Sequence, residues 1–541
     1  MRIDVIVFGN SHPNININWS LGSIHKVEAS VISVNLMIKN IMDECEAIFF
    51  IDNITDLPSE KLITELLSKP QEIFHAGLKS GLSEELEFLN FVNPTWMLQI
   101  NPDKNSIATS WRVALNCCLI KTDVFKQLGV LNADFLSLDG ASLEFGYRCI
   151  RRGVFIRHIP DLLPEKTEQR YVNISAEDQV KFILLNHGKK WSYWSIFRAL
   201  MVKKINLIDV RKYFKLIKAQ RYSPYPIYKK DNIFTTPKFL THKVSILIPT
   251  IDRYSYLRTL LQQLRQQTIR PFEILIIDQT PLKKRDLKIS DDFLDLPIRY
   301  FVLEEPGQCN SRNFGLNKSR GDYILFLDDD DEIEPDLIQN HLISMLKNQC
   351  NISCGVANET GAGELPENFT FVRISDVFPT NNTMIKKSII SKTGLFDLAF
   401  NRGQNEDHDL GIRIYKSGEL MVLDPNIKVM HHHAPQGGLR THKARVNTYA
   451  SSRKNINNRI LPTNWEIYLV KRYFTKNQVR EKFWLGILGT FSYHGSTIKK
   501  IFKASLSLIM LPFSINELIK RNKAADRMLL KYPQIPQLDD E

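Results

Sequence analysis

Four consecutive aspartates, Asp328 to Asp331, follow the apolar run Tyr323-Ile-Leu-Phe-Leu327 without a spacer. An apolar run that ends abruptly in charge reads as a fully buried strand with the acids at its carboxyl end, which is where open α/β sheets bind ligands. Adjacent carboxylates repel one another, so a folded chain keeps them together only where a positive partner neutralises them. A hard divalent ion with oxygen ligands fits that need best. A second acidic set, Glu406, Asp407 and Asp409, opens a helix whose Leu410 and Ile414 face inward. An aspartate near a helix N-terminus stays ionised and suits proton acceptance, although such acids also serve simply as favourable N-terminal charges. A third set, His431-His-His433, stands at a strand end, where alternation puts His431 and His433 on one side. The pair Gly437-Gly438 that follows suggests a mobile loop.

The elements that must hold these residues are legible from periodicity. Strands are expected at Lys243–Pro249, Phe272–Asp278, Ile298–Leu303 and Tyr323–Asp328, with helices at Tyr256–Gln267, Asn310–Lys318 and Asp336–Lys347. Strands alternating with such helices predict an α/β fold with a mainly parallel sheet. The first 160 or so residues alternate in the same way: strands at Ile3–Phe8 and Ala47–Asp52, helices near Val31–Met42 and Glu60–Leu67, and an apolar stretch at Ala114–Ile120. The two parts share a register. Ile120, Gly129, Phe135, Gly146, Arg148 and Gly153 each recur 265 positions later, as Ile385, Gly394, Phe400, Gly411, Arg413 and Gly418. Two copies of one fold follow from this reading. The first copy lacks the acids: Asp52-Asn-Ile-Thr55 stands opposite Asp328–Asp331, and Ala141-Ser142 opposite Glu406-Asp407.

A chain of 541 residues needs more than one core. The expected division is 1–164, a basic helical connector at 165–242 with an extended linker at Ser223-Pro-Tyr-Pro226, a unit at 243–440, and a basic helical region at 441–541. The net charge of +12 is concentrated: residues 165–243 and 441–541 each carry +11. That pattern suggests electrostatic attachment to an anionic surface, with Lys499, Lys500 and Lys503 at lipid headgroups, or else a helical cap on the preceding unit. Nucleic acid is disfavoured by the lack of zinc spacing, of an aromatic ribonucleoprotein motif and of a basic coiled coil. Seven cysteines without a pairing pattern, no signal-peptide pattern at the N-terminus, and no apolar stretch of about 20 residues suggest a cytoplasmic protein, peripheral at most to the inner face of the cell membrane.

Val244–Arg253, Glu273–Asp278, Ser311-Arg-Asn-Phe-Gly315, Gly321–Asp331 and Asn405–Leu410, in this order, resemble the inverting family 2 glycosyltransferases of the GT-A fold over residues 243–440. The resemblance implies a nucleotide-sugar donor, a UDP-sugar first, a glycan or lipid-linked acceptor, and Mn2+ or Mg2+. It implies that Asp330 touches the metal while Asp328 faces ribose or metal, with Asp329 beside them at the donor. Pro249, Thr250 and Asp278 would hold the nucleobase, although Gln279 stands where the family often has a second acid. Arg253 and Arg312 are candidates for base or diphosphate contact, since guanidinium matches phosphate geometry. Asp407, with Glu406 second, would be the base that takes the acceptor proton. Related enzymes often use a histidine here as a further metal ligand, which nominates His431 or His433, and Arg440 would close on the diphosphate.

Two rivals stand beside this reading. A non-catalytic carbohydrate- or partner-binding protein needs no combination of Asp328, Asp330 and Asp407. Nucleotidyl transfer usually opens on a glycine-rich loop with a basic residue, which Val244–Arg253 lacks.

Overall fold

A computed structural model of the chain describes residues 2–9, 19–52, 57–77, 100–163, 174–219, 225–230, 242–286, 288–361, 363–442 and 461–539. Much of the Ser223–Pro226 linker, and the stretch 53–55 set against the acidic run, lie outside these residues.

Among them are two mixed sheets with helices packed on both. The strands of the first are β1 (Ile3–Phe8), β2 (Ile24–Val27), β3 (Ala47–Asp52), β4 (Ile73–His75), β5 (Ala108–Thr109), β6 (Cys117–Lys121) and β7 (Ile156–His158). They lie in the order 2-1-3-6-4-7-5. The second has β8 (Val244–Thr250), β9 (Glu273–Asp278), β10 (Ile298–Val302), β11 (Tyr323–Phe326), β12 (Asp331–Ile333), β13 (Ile352–Glu359), β14 (Arg373–Ile374), β15 (Thr383–Lys386) and β16 (Met421–His431). Their order is 10-9-8-11-15-13-16-12, with β14 also on β16.

In both sheets one strand runs against its two neighbours in the middle: β6 between β3 and β4, and β15 between β11 and β13. The remaining long strands point one way, so the parallel character expected from sequence holds with a single central reversal. β1, β3, β8, β9 and β11 are almost wholly buried. Their apolar side chains lie on both faces, which is why their sequences read as continuous apolar runs rather than alternating ones.

The 265-residue register continues into the pairings. Ala108 pairs with His158 and Thr109 with Arg157, while Arg373 pairs with Leu423 and Ile374 with Val422. Arg148 donates to Leu128 O and Val130 O and pairs with Glu144 one helical turn back. Arg413 donates to Thr393 O and Gly394 O and pairs with Asp409 in the same relation. Each arginine closes the carbonyl end of a preceding short helix. Removing either would strand a buried carboxylate, which typically costs about 3–5 kcal/mol.

The two sheets meet through reciprocal contacts. Gly418, at φ +84, sits where an added Cβ would come within 2.0 Å of Ile107 O. Gly153, at φ +100, sits where a Cβ would come within 3.0 Å of Val372 O. Gly153 and Val372 are the residues 265 positions from Gly418 and Ile107. The joint is reinforced by Arg157 Nη2 donating to Gly418 O at 2.6 Å, Gln71 Nε2 to Asn348 O at 3.0 Å, and the Arg152–Glu367 ion pair. Gly418→Ala is therefore expected to destabilise the protein by at least about 2 kcal/mol, from left-handed strain plus a backbone clash. Gly363→Ala, with nothing within 4 Å of its Cβ position, should be nearly neutral. Equal denaturant midpoints for the two variants would overturn this account of the joint.

The connector forms helices Ala176–His187, Lys189–Met201 and Leu207–Ala219. The C-terminal region forms helices Asn464–Tyr473, Lys476–Gly489, Thr497–Ile509 and Leu511–Lys531. Thr463 and Thr475 start the first two of these with capping boxes, in which hydroxyl and side-chain carbonyl satisfy the open N–H groups reciprocally. Tyr468 and Tyr473 donate to Asp397 and Asp409 at 2.6 Å each, so this part is a cap on the second unit.

Candidate active site

Leu327 leads from β11 into the aspartates, and Asp331 already belongs to β12, which pairs antiparallel with the end of β16 at His431. The acidic run is thus a turn between two strands, and the chain after His431 folds back over it. His432 N–H donates to Asp330 O at 3.1 Å and Ala434 N–H to Asp330 Oδ2 at 2.8 Å.

Each carboxylate faces a cation of the protein. Arg312 Nη2 donates to Asp328 Oδ1 at 3.0 Å. Arg253 Nη1 donates to Asp329 Oδ1 at 3.0 Å and lies 3.0 Å from Asp330 Oδ1. His431 Nδ1 lies 2.9 Å from Asp331 Oδ1. Arginine and histidine thus supply the positive partners that the sequence reading assigned to a metal ion. Burial pushes the carboxyls of Asp329 and Asp331 up to about 7, against the pull of Arg253 and His431 respectively. Burial would lower the His431 imidazole, but the hydrogen bond to Asp331 and the charges of Asp328, Asp331 and Asp330 outweigh it and hold its pKa up at about 9.

A cavity of about 630 Å³ opens above this turn. Pro249, Thr250, Arg253, Arg312, Asp328, Asp329, Asp330, Asp407, His431, His433 and Arg440 all line it. The strand ends of β8 and β11, the helix Gln308–Lys318, the helix Glu406–Lys416 and the loop after β16 converge there, so residues up to 191 positions apart in sequence share one wall.

Two expected residues are elsewhere. Asp278 is fully buried and off the cavity; Tyr254 OH donates to its Oδ2 at 2.6 Å, Tyr300 OH donates to the same oxygen, and Thr280 N–H donates to Oδ1. Its neighbour Gln279 lines the cavity instead. Glu406 is buried and also off the cavity, whereas Asp407 reaches it; Asp409 is spent on Arg413 and Tyr473.

The loop after β16 departs from the strand geometry expected for the histidines. β16 ends at His431, and His433 adopts φ +50; the two rings nevertheless meet edge to face with centroids 4.3 Å apart. Gly437 and Gly438, at φ +72 and +75, are tightly placed rather than free: a Cβ on Gly437 would lie 2.3 Å from Asp252 O, and one on Gly438 would lie 2.6 Å from Arg253 Nη2. Gly438 N–H donates to Ile251 O at 2.7 Å. Close packing, not mobility, requires the pair.

Gln308, Ser311, Glu359, Thr380 and Asn381 also line the cavity. The position of Gln308 just after Gly307, at the start of a helix that packs on β8 and β9, is the one sequence signal that could have nominated any of them.

Among the described residues, no three His, Cys, Asp or Glu side chains form a preassembled metal cage. The donor set nevertheless suits a metal shared with a ligand. Asp330 Oδ1 is buried and accepts no hydrogen bond. Asp331 engages Nδ1 of His431 and leaves Nε2 as the nitrogen for a ligand, the orientation that metal-binding histidines commonly take. Mg2+ and Mn2+ sites built on one or two carboxylates plus substrate phosphates need no closed protein cage.

Residues 245–394 match the family model Glycosyl transferase family 2. An uncharacterized glycosyltransferase of Rickettsia felis is 27% identical over 295 residues, which are 53% of this chain and 47% of that protein. Glycosyltransferase GlyA of Streptococcus pneumoniae is 30% identical over 115 residues, 21% of this chain and 16% of that protein. The chain spans less than half the length of these relatives. A solved mannosyltransferase of Pyrobaculum calidifontis, PcManGT with GDP-Man and Mn2+, aligns with TM-score 0.36 and 12% identity over 55% of this chain and 90% of its own.

Proposed function

We propose that residues 243–440 transfer a sugar, with inversion, from a nucleotide-diphosphate donor to a hydroxyl of a glycan or lipid-linked acceptor in the assembly of a cell-surface polysaccharide. The observation that carries this reading is a single cavity with Asp328, Asp329 and Asp330 at its floor and Asp407 on another element of its wall. A family 2 glycosyl transferase match over residues 245–394 supports it.

Asp330, with Asp328 and either His431 or His433, would hold Mn2+ or Mg2+. Bound there, the ion would offset the charge of the departing diphosphate in place of a proton. Arg253 is held by Asp329 and by carbonyls of the following loop, Ala434 O and Gln436 O, so its guanidinium is fixed beside the site, where its charge would favour a diphosphate. Asp407 stands in the first turn of its helix and lines the cavity, where it takes the proton of the attacking hydroxyl.

The first sheet is read as a copy of the same fold that has lost this chemistry. Asp52, at the end of β3, is its one remaining acid at the position of Asp328–Asp331. A panel of nucleotide sugars assayed for manganese-dependent hydrolysis and transfer tests both statements. One donor should turn over, and Asp52→Asn should turn it over within about twofold of the unaltered protein, as expected for a change away from the reacting atoms. Turnover of no donor would sink the transferase reading, and a large loss in Asp52→Asn would make the first unit a working site.

A further inference from the structure

Eighteen of the twenty-eight large apolar side chains exposed among the described residues fall within segments 165–243 and 441–541, about a third of the chain. These are the two segments that carry +11 each. They are also in contact. Trp194 Nε1 donates to Glu481 at 2.8 Å and Arg198 Nε pairs with the same carboxylate at 2.6 Å, which ties helix Lys189–Met201 to helix Lys476–Gly489.

Helix Thr497–Ile509 is turned inside out. It buries Lys503 (3% exposed) and Ser507 (4%), and Ser507 Oγ donates to Thr490 O at 2.7 Å; the next helix buries Ser514 beside Leu518 and Ala525. On the other side Ile498, Ile501, Phe502, Leu508, Ile509 and Phe513 are 58% to 80% exposed. Folding in water selects the opposite arrangement, with the apolar stripe inward. Lys503 therefore cannot serve a headgroup layer as the sequence suggested, whereas Lys499 and Lys500, one turn earlier on the polar side of the same helix, are exposed.

We infer that this apolar face seats the protein on an anionic bilayer, with the six side chains at the acyl boundary and Lys499 and Lys500 among the headgroups. Charge decides the occupant. Two copies of a surface this positive repel each other, whereas an anionic leaflet attracts each basic residue near it. Shape agrees. No single helix among the described residues is long and apolar enough to cross a membrane, and the two helices meet at a bend of 62°, which suits a pair lying in the interface. The inference is independent of the transfer chemistry.

Flotation of the full chain with vesicles of phosphatidylcholine alone, or of phosphatidylcholine with phosphatidylglycerol, tests it. The protein should float with the anionic vesicles and be released as salt rises. Phe502→Ser with Leu508→Ser should lower the bound fraction by at least about tenfold, since two exposed apolar anchors are removed. Lys499→Glu with Lys500→Glu should lower it about as much on anionic vesicles and leave the neutral ones unchanged. If the serine variant misfolds, as its melting curve would show, the glutamate variant decides. Undiminished flotation of both variants overturns the proposal. So does light scattering that finds, without vesicles, a dimer that the serine variant splits, because the face would then belong to a second copy.

Discussion

Asp330→Asn is expected to abolish transfer and to remove manganese-dependent affinity for the nucleotide diphosphate together. The substitution leaves size and shape almost unchanged. It takes away the buried oxygen that accepts no hydrogen bond and replaces a carboxylate beside Arg253 with a neutral amide. Losing a metal ligand should cost several kcal/mol of transition-state stabilisation, on the order of a thousandfold in rate. Arg253 keeps Asp329, so the fold of the turn should survive, and an unchanged melting temperature would confirm that the loss is one of chemistry. Calorimetric titration of the nucleotide diphosphate with and without manganese checks the binding half. Wild-type affinity in Asp330→Asn would remove Asp330 from the metal.

Asp407→Asn should behave differently. Asp407 is assigned to the acceptor hydroxyl, so donor affinity and its manganese dependence should stay at the unaltered level while transfer falls by roughly 10²–10⁴-fold, the usual loss for a general base. The same titration read beside a transfer assay separates the two variants on one set of preparations. Should Asp407→Asn instead lose donor affinity and keep transfer at saturating donor, Asp407 belongs to the donor side and Glu406 becomes the base, although its side chain is buried off the cavity.

Strands were legible because burial on both faces writes itself as an apolar run: β9 and β11 fall within two residues of their expected bounds. What failed were statements about where a side chain at an element's end would point. Asp278 ends β9 as expected, but Tyr254 and Tyr300 come from a separate helix and strand to take up its oxygen, and no local pattern records that meeting. His433 was expected to continue a strand that stops two residues earlier. Gly437-Gly438 was read as slack where Asp252 and Arg253 need the absent side chains. Spacing could find the acids, yet the cations that face them, Arg253, Arg312 and His431, are 59 to 178 positions apart from one another, and only the closed sheet brings them together.

The paired contacts of Gly153 with Val372 and Gly418 with Ile107 have the form of a two-fold interface drawn within one polypeptide. In a dimer of identical chains every substitution lands twice, once on each side of the axis, so a change harmful to one active centre is harmful to both. Covalent joining ends that coupling. A substitution in one half then has no counterpart in the other, so the residues that line the cavity of the second half can change while the first still presents the surface against which it packs.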